Sequence, residues 1–388
     1  MIGHLHLDRR DEMAAGVRRG SDPPGAGDTA RRVKGMAPST PAASGSSSGL
    51  EASLLAPDSG AWRHALEEVP HDFYHLPEYV RLCGHGEPGR ACALRVTDGG
   101  AELLLPLILR PVDGGGLDAT SPYGYPGPIV AGTDDPAFAG RALAACWRLL
   151  RVEGVVSVFV RLHPLLSPVP AGESGTLVWH GETVSIDLAL PPREAWAQMR
   201  LNHRRDIGRA RRLGFSARMD TGFEFLQDFE RLYRATMERL AAGPAYLFGD
   251  DYFTGLRDAL GESLHLCIVE GHGRVAAAGL FVETDGIVEY HLGAWDVAFR
   301  DVQPMKLMLD FVRSWGQERR DRVFHLGGGV GGSTDSLFLF KAGFSPARHA
   351  FGTLRVVIDR DRYRELARAR GAGDPDDATG YFPMYRRP

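Results

Sequence analysis

The order of apolar and polar positions divides the chain into segments of two periods. Apolar residues recur at helical spacing over 62–69 and 76–82. They give way to two strand-like runs, 91–97 and 101–110, joined by the turn Asp98-Gly99-Gly100. Residues 121–128, Ser-Pro-Tyr-Gly-Tyr-Pro-Gly-Pro, cannot form a regular strand, because proline lacks the ladder donor. A helical pattern at 136–151 leads into the continuously apolar strand 155–162, and a strand at 183–190 closes this half. The second half opens with a helical pattern over 192–213 that ends at Gly214, a residue suited to a left-handed C-cap. At about 100° per residue, Trp196, Met199, His203, Ile207, Ala210 and Leu213 fall within an arc of roughly 120°. A second amphipathic pattern covers 223–242. Strands follow at 264–270, 275–283 and 287–294, with turns at Gly271 and Gly286. A helix at 304–319, a strand at 323–326, a helix at 336–341 and a strand at 353–358 complete the order, which predicts a mixed α/β protein.

Composition changes this picture at one end. Residues 1–50 are rich in Gly, Ser, Pro, Ala and Arg and offer too little apolar surface to order themselves. A disordered leader is expected at 1–52, or an over-called start, with order beginning near Ala61. Arg18, Arg19, Arg31, Arg32 and Lys34 would make it a basic arm for RNA. The rest of the 388 residues suits two domains, expected at 53–191 and 192–388. The net charge of −4 confines any nucleic-acid contact to a local patch. Only Lys34, Lys306 and Lys341 are lysines, so arginine supplies 42 of the 45 basic side chains (45 less 3), and the two domain lysines stand out. Cys83, Cys92, Cys146 and Cys267 form no cluster at metal-ligand spacing, so no metal site is expected. Sparse cysteine, the lack of an apolar run near ~18 residues and the lack of a signal-peptide core predict a cytoplasmic protein without a membrane span.

Several stretches carry a family resemblance. Tyr290-His-Leu-Gly-Ala294, Pro304-Met-Lys-Leu-Met-Leu309, Phe324-His-Leu-Gly-Gly-Gly329 and Ser336-Leu-Phe-Leu-Phe-Lys-Ala-Gly-Phe344 resemble the GNAT-like proteins related to the Fem aminoacyltransferases. Asn202-His-Arg-Arg205, Phe382-Pro-Met-Tyr-Arg386 and the Tyr123-Gly-Tyr125 loop do so too. The resemblance covers most of residues 60–388. It implies an α/β (α+β) fold of two GNAT-like subdomains, each a mixed twisted sheet flanked by helices. It also implies an acyltransferase: Fem-type proteins move an amino acid from aminoacyl-tRNA onto an amine, usually of a peptidoglycan precursor, and related enzymes acylate small metabolites. The long coiled-coil arm of some peptidoglycan Fem enzymes has no counterpart in the pattern beyond the 192–242 helix pair.

Such chemistry needs a neutral amine aligned on a carbonyl, a route for its proton and donors for the oxyanion. The resemblance places the reaction where strands 287–294 and 323–326 splay apart. Glu289 and His291 are two apart and share one face of their strand, while Tyr290 faces the other way. An ordinary histidine titrates near about 6.5, so His291 fits a general base; Glu289 and His325 complete the catalytic candidates. A satisfied core histidine and a solvated glutamate are the bland alternatives. Gly327, Gly328 and Gly329 open a run to Gly332 that allows an amide cradle for phosphate or carboxylate, or simply a flexible connection. Tyr123, Tyr125, Tyr246 and Tyr290 are candidate substrate-binding aromatics, with loop packing as the alternative.

GNAT enzymes that use acetyl-CoA hold its pyrophosphate in a glycine-containing loop at a helix N-terminus. The corresponding stretch here, Phe299-Arg-Asp-Val-Gln-Pro-Met-Lys306, has no glycine, and Pro304 removes an amide. Gln303 and Lys306 remain able to hold a single phosphate. Arg200, Arg204, Arg205 and Arg209 form a candidate tRNA-backbone patch on the polar side of the 192–213 helix, or a solvated face. Lys341 either meets a phosphate or caps its helix. The expected reaction moves an aminoacyl group from aminoacyl-tRNA, the co-substrate, to an amine of a small molecule or peptide precursor. No tightly bound cofactor, metal or DNA partner is expected. The alternatives are an acyl-CoA-dependent N-acyltransferase and a GNAT-like protein that only binds.

Overall fold

The computed structural model describes residues 49–84, 89–168, 175–243, 247–371 and 380–387. Nearly all of the expected leader, with its basic arm, lies outside these residues. Regular structure starts before the expected Ala61. Glu51–Leu55 is strand β1, paired antiparallel with β2 (Arg90–Asp98), and its Ala52 and Leu54 pack on a core. Helix α1 (Gly60–Glu68) is capped by Ser59, whose hydroxyl accepts the Ala61 N–H, and buries Trp62, Ala65 and Leu66. Then come α2 (Pro77–Gly84), β3 (Ala101–Pro111), β4 (Leu117–Thr120), β5 (Ile129–Ala131), α3 (Phe138–Val152), β6 (Val155–Arg161) and β7 (Thr176–Asp187). The second half contains α4 (Pro192–Gln198), α5 (Leu201–Arg212), β8 (Ser216–Met219), α6 (Leu226–Arg239) and α7 (Asp250–Leu260). It continues with β9 (Leu264–Gly271), β10 (Arg274–Thr284), β11 (Ile287–Trp295), α8 (Pro304–Arg319), β12 (Val323–Gly328), α9 (Ser336–Lys341), β13 (Arg348–Val357) and α10 (Arg360–Ala369).

The strands form one mixed sheet of 13 in the order β1-β2-β3-β4-β6-β13-β7-β12-β11-β10-β9-β8, with β5 attached to β3. Its two parallel pairings, β4 with β6 and β11 with β12, mark two copies of one arrangement. In each copy antiparallel strands are followed by a crossover helix, α3 or α8, and a strand parallel to the one before it. Each copy is completed by the other. Strand β13 pairs with β6, and β7 pairs with β12, so the last strand of either half lies against its counterpart. The mixed α/β fold matches the sequence reading, with the two sheets expected there joined into one.

Three local differences have physical causes. The expected 192–213 helix breaks because Met199 and Arg200 are extended (ψ 142 and 145), and the Arg200 N–H donates to the Gly343 carbonyl at 2.8 Å. Met199, His203, Ile207 and Ala210 stay buried, whereas Leu213 is turned outward. Helix α6 begins after Phe223, which sits at φ +54, outside helical space. Strand β7 begins at Thr176, seven residues before the expected 183, because its first part carries exposed and half-buried positions rather than an apolar run.

The halves interpenetrate. Val184 and Ile186 of β7 share a core with Met308, Phe324 and Leu326 of the second half. Phe73, Tyr74, Tyr79 and Tyr125 of the first half pack with Phe229, Leu280 and Leu292 of the second. Burial of this size would secure the join, since a fully buried large side chain contributes about 1.5–3 kcal/mol. Among the described residues no helix is long and apolar enough to cross a membrane.

Candidate active site

The parallel pairing of β11 and β12 runs only from Ile287↔Val323 to Glu289↔His325. Beyond it β11 continues along β10, and β12 shifts register after His325 and continues along β7, where Gly328 faces Thr183. Glu289 and His325 are therefore the last paired residues at the mouth of the opening. The imidazole Nδ1 of His325 lies 2.6 Å from Glu289 Oε1, and its Nε2 lies 2.9 Å from the Thr183 hydroxyl. All three side chains are buried.

The first half closes this opening with a short 3-10 turn, Phe73–His75. Asp72 caps it: one carboxylate oxygen accepts the Phe73 N–H at 2.6 Å. The Asp72 N–H donates to His75 Nδ1 at 3.2 Å, so His75 carries its proton on Nε2 and donates to the Gly127 carbonyl at 3.0 Å. His163 stands just after β6. The Leu165 N–H donates to its Nδ1 at 3.1 Å, and its Nε2 lies 3.0 Å from the second Asp72 oxygen. Single side-chain atoms of Asp72, His163 and Glu289 all lie within 4.8 Å of one another.

Burial sets the electrostatics. The Glu289 carboxyl is pushed well above the usual carboxylate range, first by burial and then by Asp72, with Lys341 opposing. One Glu289 oxygen, Oε2, has no hydrogen-bond donor among the described residues. Burial pulls His291 down to about 3, and His75 likewise. His291 Nε2 is 3.2 Å from the Tyr252 hydroxyl, its Nδ1 has no partner among the described residues, and the rings of Phe73, Tyr79 and Tyr123 stand edge-on to it at 5.3–6.2 Å. The ring is thus held well below the near-neutral value expected of it as a base and is uncharged near neutrality. Tyr123, Phe248 and Tyr252 are the half-buried residues around it, and Phe248 and Tyr252 stack at 4.0 Å.

The other sequence candidates divide. Tyr125 joins the cluster, with its ring 5.4 Å from that of His325, and Tyr123 approaches His291 at 6.0 Å. Tyr290 does not: strand alternation sends it to the opposite layer, stacked on Phe281, which corrects its assignment to substrate. Tyr246 lies outside the described residues. The glycine run is tightly built. A Cβ on Gly329 would meet the Ser333 carbonyl at 2.0 Å, and one on Gly328 the Glu182 carbonyl at 2.8 Å. Gly327 takes φ +73, which favours glycine. Part of the expected anion cradle is taken by the chain's own carboxylate, since Asp335 accepts the N–H groups of Val330 and Phe338.

Lys341 is fully buried, pulled down to about 7, and donates to the Gly328 carbonyl at 2.8 Å. A surface phosphate cannot reach it there. Lys306 is also committed, 2.5 Å from Asp206 across α5 and α8. These placements correct both lysine assignments: desolvation drives each amine to an internal acceptor. The arginine face is real and open. Arg205 and Arg209 are exposed, Arg204 is half-buried, and with Arg212 they line a groove of about 410 Å³ on α5. Arg200 donates to the Leu339 carbonyl at 3.4 Å, so α5 abuts α9.

Reading the sequence missed Asp72, His75, His163 and Thr183. Asp72 and His75 carry the local signal of a capped turn, and His163 follows an apolar strand. Nothing local joins them to Glu289 and His325, which lie between 106 positions (183 to 289) and 253 positions (72 to 325) further along the chain.

Comparison with known proteins follows this geometry. Residues 197–334 match the family model of the acetyltransferase (GNAT) domain. Over most of its length the chain has the fold of FemX, whose crystal structure aligns with a TM-score of 0.62 at 14% identity over 81% of this chain and 99% of that one. A tandem GNAT protein from the clavulanic acid biosynthesis pathway aligns with a TM-score of 0.41 at 13% identity, over 79% of this chain and 98% of that one. No curated protein sequence matches the chain. The domain match and the fold together support an acyltransferase with a GNAT domain.

Proposed function

We propose that the chain forms an amide by moving an aminoacyl group from aminoacyl-tRNA to the amine of a small molecule or peptide precursor, in the cytoplasm. The two subdomains would divide at residues 191 and 192, with the reaction where they meet. The observation that carries the choice of donor is the start of α8. Gln303 is left-handed (φ 59), Pro304 has no N–H, and the Lys306 N–H is turned to the Gln303 carbonyl at 3.0 Å. Asp206 places a carboxylate beside the same turn, on Lys306. A CoA pyrophosphate would find few free amides there and a lysine already engaged by Asp206, contrary to what a helix N-terminus otherwise offers an anion. The arginine groove on α5 offers the positive surface that a tRNA backbone needs.

In the reaction the amine nitrogen attacks the ester carbonyl, the carbon–oxygen bond to the ribose breaks, and one proton passes from nitrogen to the departing ribose oxygen. Glu289 and His325 are the proposed carriers of that proton, because they hydrogen-bond each other at the opening of the sheet. His291 takes a different part. Were the Tyr252 hydroxyl to donate to Nε2, the proton of the neutral ring would sit on Nδ1, which has no partner among the described residues and would suit a developing oxyanion. Tyr123 and Tyr125 would shape the acceptor pocket.

The match to an acetyltransferase domain favours a second reading, an acyl-CoA-dependent N-acyltransferase. Bulk tRNA charged with labelled amino acids, mixed with the protein and a pool of free amino acids and polyamines, tests the choice. Appearance of label in amides supports the tRNA donor. Amide formation from acetyl-CoA alone rejects it.

A further inference from the structure

We propose that Asp72 and Glu289 share one proton across the join between the two halves, with Asp72 as a positioning residue that keeps the Glu289 carboxyl neutral. Both carboxyl groups are fully buried, and with His163 they place atoms within 4.8 Å of one another. Two like charges so close and so dry cannot both persist. Asp72 is the member arranged as a carboxylate: it accepts the Phe73 N–H on one oxygen, and the other faces His163 Nε2. Glu289 has no such support at Oε2, which lacks an N–H or O–H donor among the described residues. A proton on that oxygen would supply the missing bond, directed at Asp72, while Oε1 keeps His325.

A metal ion is the other occupant such a group invites, and the tautomer of His163 argues against it. Its Nδ1 accepts the Leu165 N–H, so the ring proton is on Nε2, the atom aimed at Asp72. A metal ligand would need a lone pair there. The surroundings also fit one net negative charge rather than two. His163 and His325 flank the pair, Tyr74 and Tyr125 lie within its field, and Lys341 is the cation that acts on Glu289. His291, on the same strand as Glu289, and His75 both feel Asp72 and are neutral. Burial and Asp72 together push the Glu289 carboxyl up, in the direction the pairing requires.

The use of this proton in acyl transfer rests on the proposed function; its existence does not, so the test reads the proton directly. Infrared spectra of the folded, full-length protein are recorded against pH, and the carbonyl band of a protonated buried carboxyl is assigned by its loss in Glu289→Gln. The band should be present at pH 7 in the wild type. In Asp72→Asn its titration midpoint should fall, since the neighbouring charge that holds the proton has gone; a merely structural Asp72 would not move it. If Asp72→Asn does not fold, His163→Gln, which removes a donor from Asp72, should shift the midpoint instead. A wild type without the band at pH 7, or a midpoint unmoved in the folded variant, overturns the proposal. So does stoichiometric binding of Zn²⁺ that Glu289→Gln abolishes. Turnover of Glu289→Gln separately tests the acyl-transfer reading.

Discussion

His203 occupies the space that any side chain on Gly343 would need. A Cβ there would come within 2.3 Å of the imidazole, whose Nε2 is 2.9 Å from the Phe340 carbonyl. The contact fastens α5, which bears the arginine groove, to the end of α9, which bears Lys341. Gly343→Ala should therefore cost about 1–3 kcal/mol, the usual range for overpacking. The loss should shrink in a His203→Ala background, where the space opens. Denaturant midpoints of the two single variants and the double variant measure it, and an unchanged midpoint in Gly343→Ala would refute the contact.

Acid should act on the buried histidines one proton at a time. His75 and His291 are held down to about 3, against an unfolded value of about 6.5. Their stabilising contribution is complete above the unfolded value and is lost as pH falls from there towards the folded one. Glu289 has the opposite sign. Its folded value is raised, so its contribution is present at low pH and is lost as pH rises past the unfolded value towards the folded one. Between pH 5 and 6, His75→Gln should lower the protons taken up on unfolding by about one, and Glu289→Gln should raise them by about one. The pH dependence of the unfolding free energy gives both counts. Identical slopes in wild type and variants would mean that these groups titrate normally.

The order of elements was legible because it is local. Helices 304–319 and 336–341 have the expected bounds, and the hairpin at Asp98-Gly99-Gly100 is where its turn residues place it. Glu289, His325 and Tyr125, singled out through a spacing of two on a strand, a facing strand and an aromatic loop, do lie together in the structure. What stayed hidden depends on distant pairing. Nothing in the run 348–357 says that it will lie between β6 and β7, and nothing near Asp72 says that its turn will close on β11. The break at Met199–Arg200 was hidden too, because the hydrogen bond that holds it comes from Gly343. Burial explains the lysines: two residues read as phosphate contacts by their charge were needed inside, at Asp206 and at the Gly328 carbonyl.

The arginine groove makes a quantitative prediction about salt. Arg205 and Arg209 are exposed on the groove, and Arg205→Ala with Arg209→Ala should lower the slope of log affinity for tRNA against log salt by roughly 0.7–0.9 per lost phosphate contact. Arg211 is paired with Asp310 at 2.8 Å, so Arg211→Ala should change the slope less. Equal slopes in wild type and the double variant would make the groove a solvated face.

His291→Gln separates an oxyanion donor from a base. A ring held down to about 3 stays neutral above pH 4 and adds no limb to the pH–rate profile there. The variant should lose about 10²–10³ in rate, as removal of an oxyanion donor does, with the shape of the profile unchanged. Flattening of the acid limb would restore His291 as the base.

The choice of donor is tested most directly by titrating the purified protein with CoA and with bulk aminoacyl-tRNA under the same salt. The start of α8, with Pro304 and the Lys306–Asp206 pair, predicts weak CoA binding. The groove on α5 predicts tRNA binding that weakens steeply as salt rises. Tight CoA binding with no salt-dependent binding of tRNA would contradict the account and make the chain an acyl-CoA enzyme.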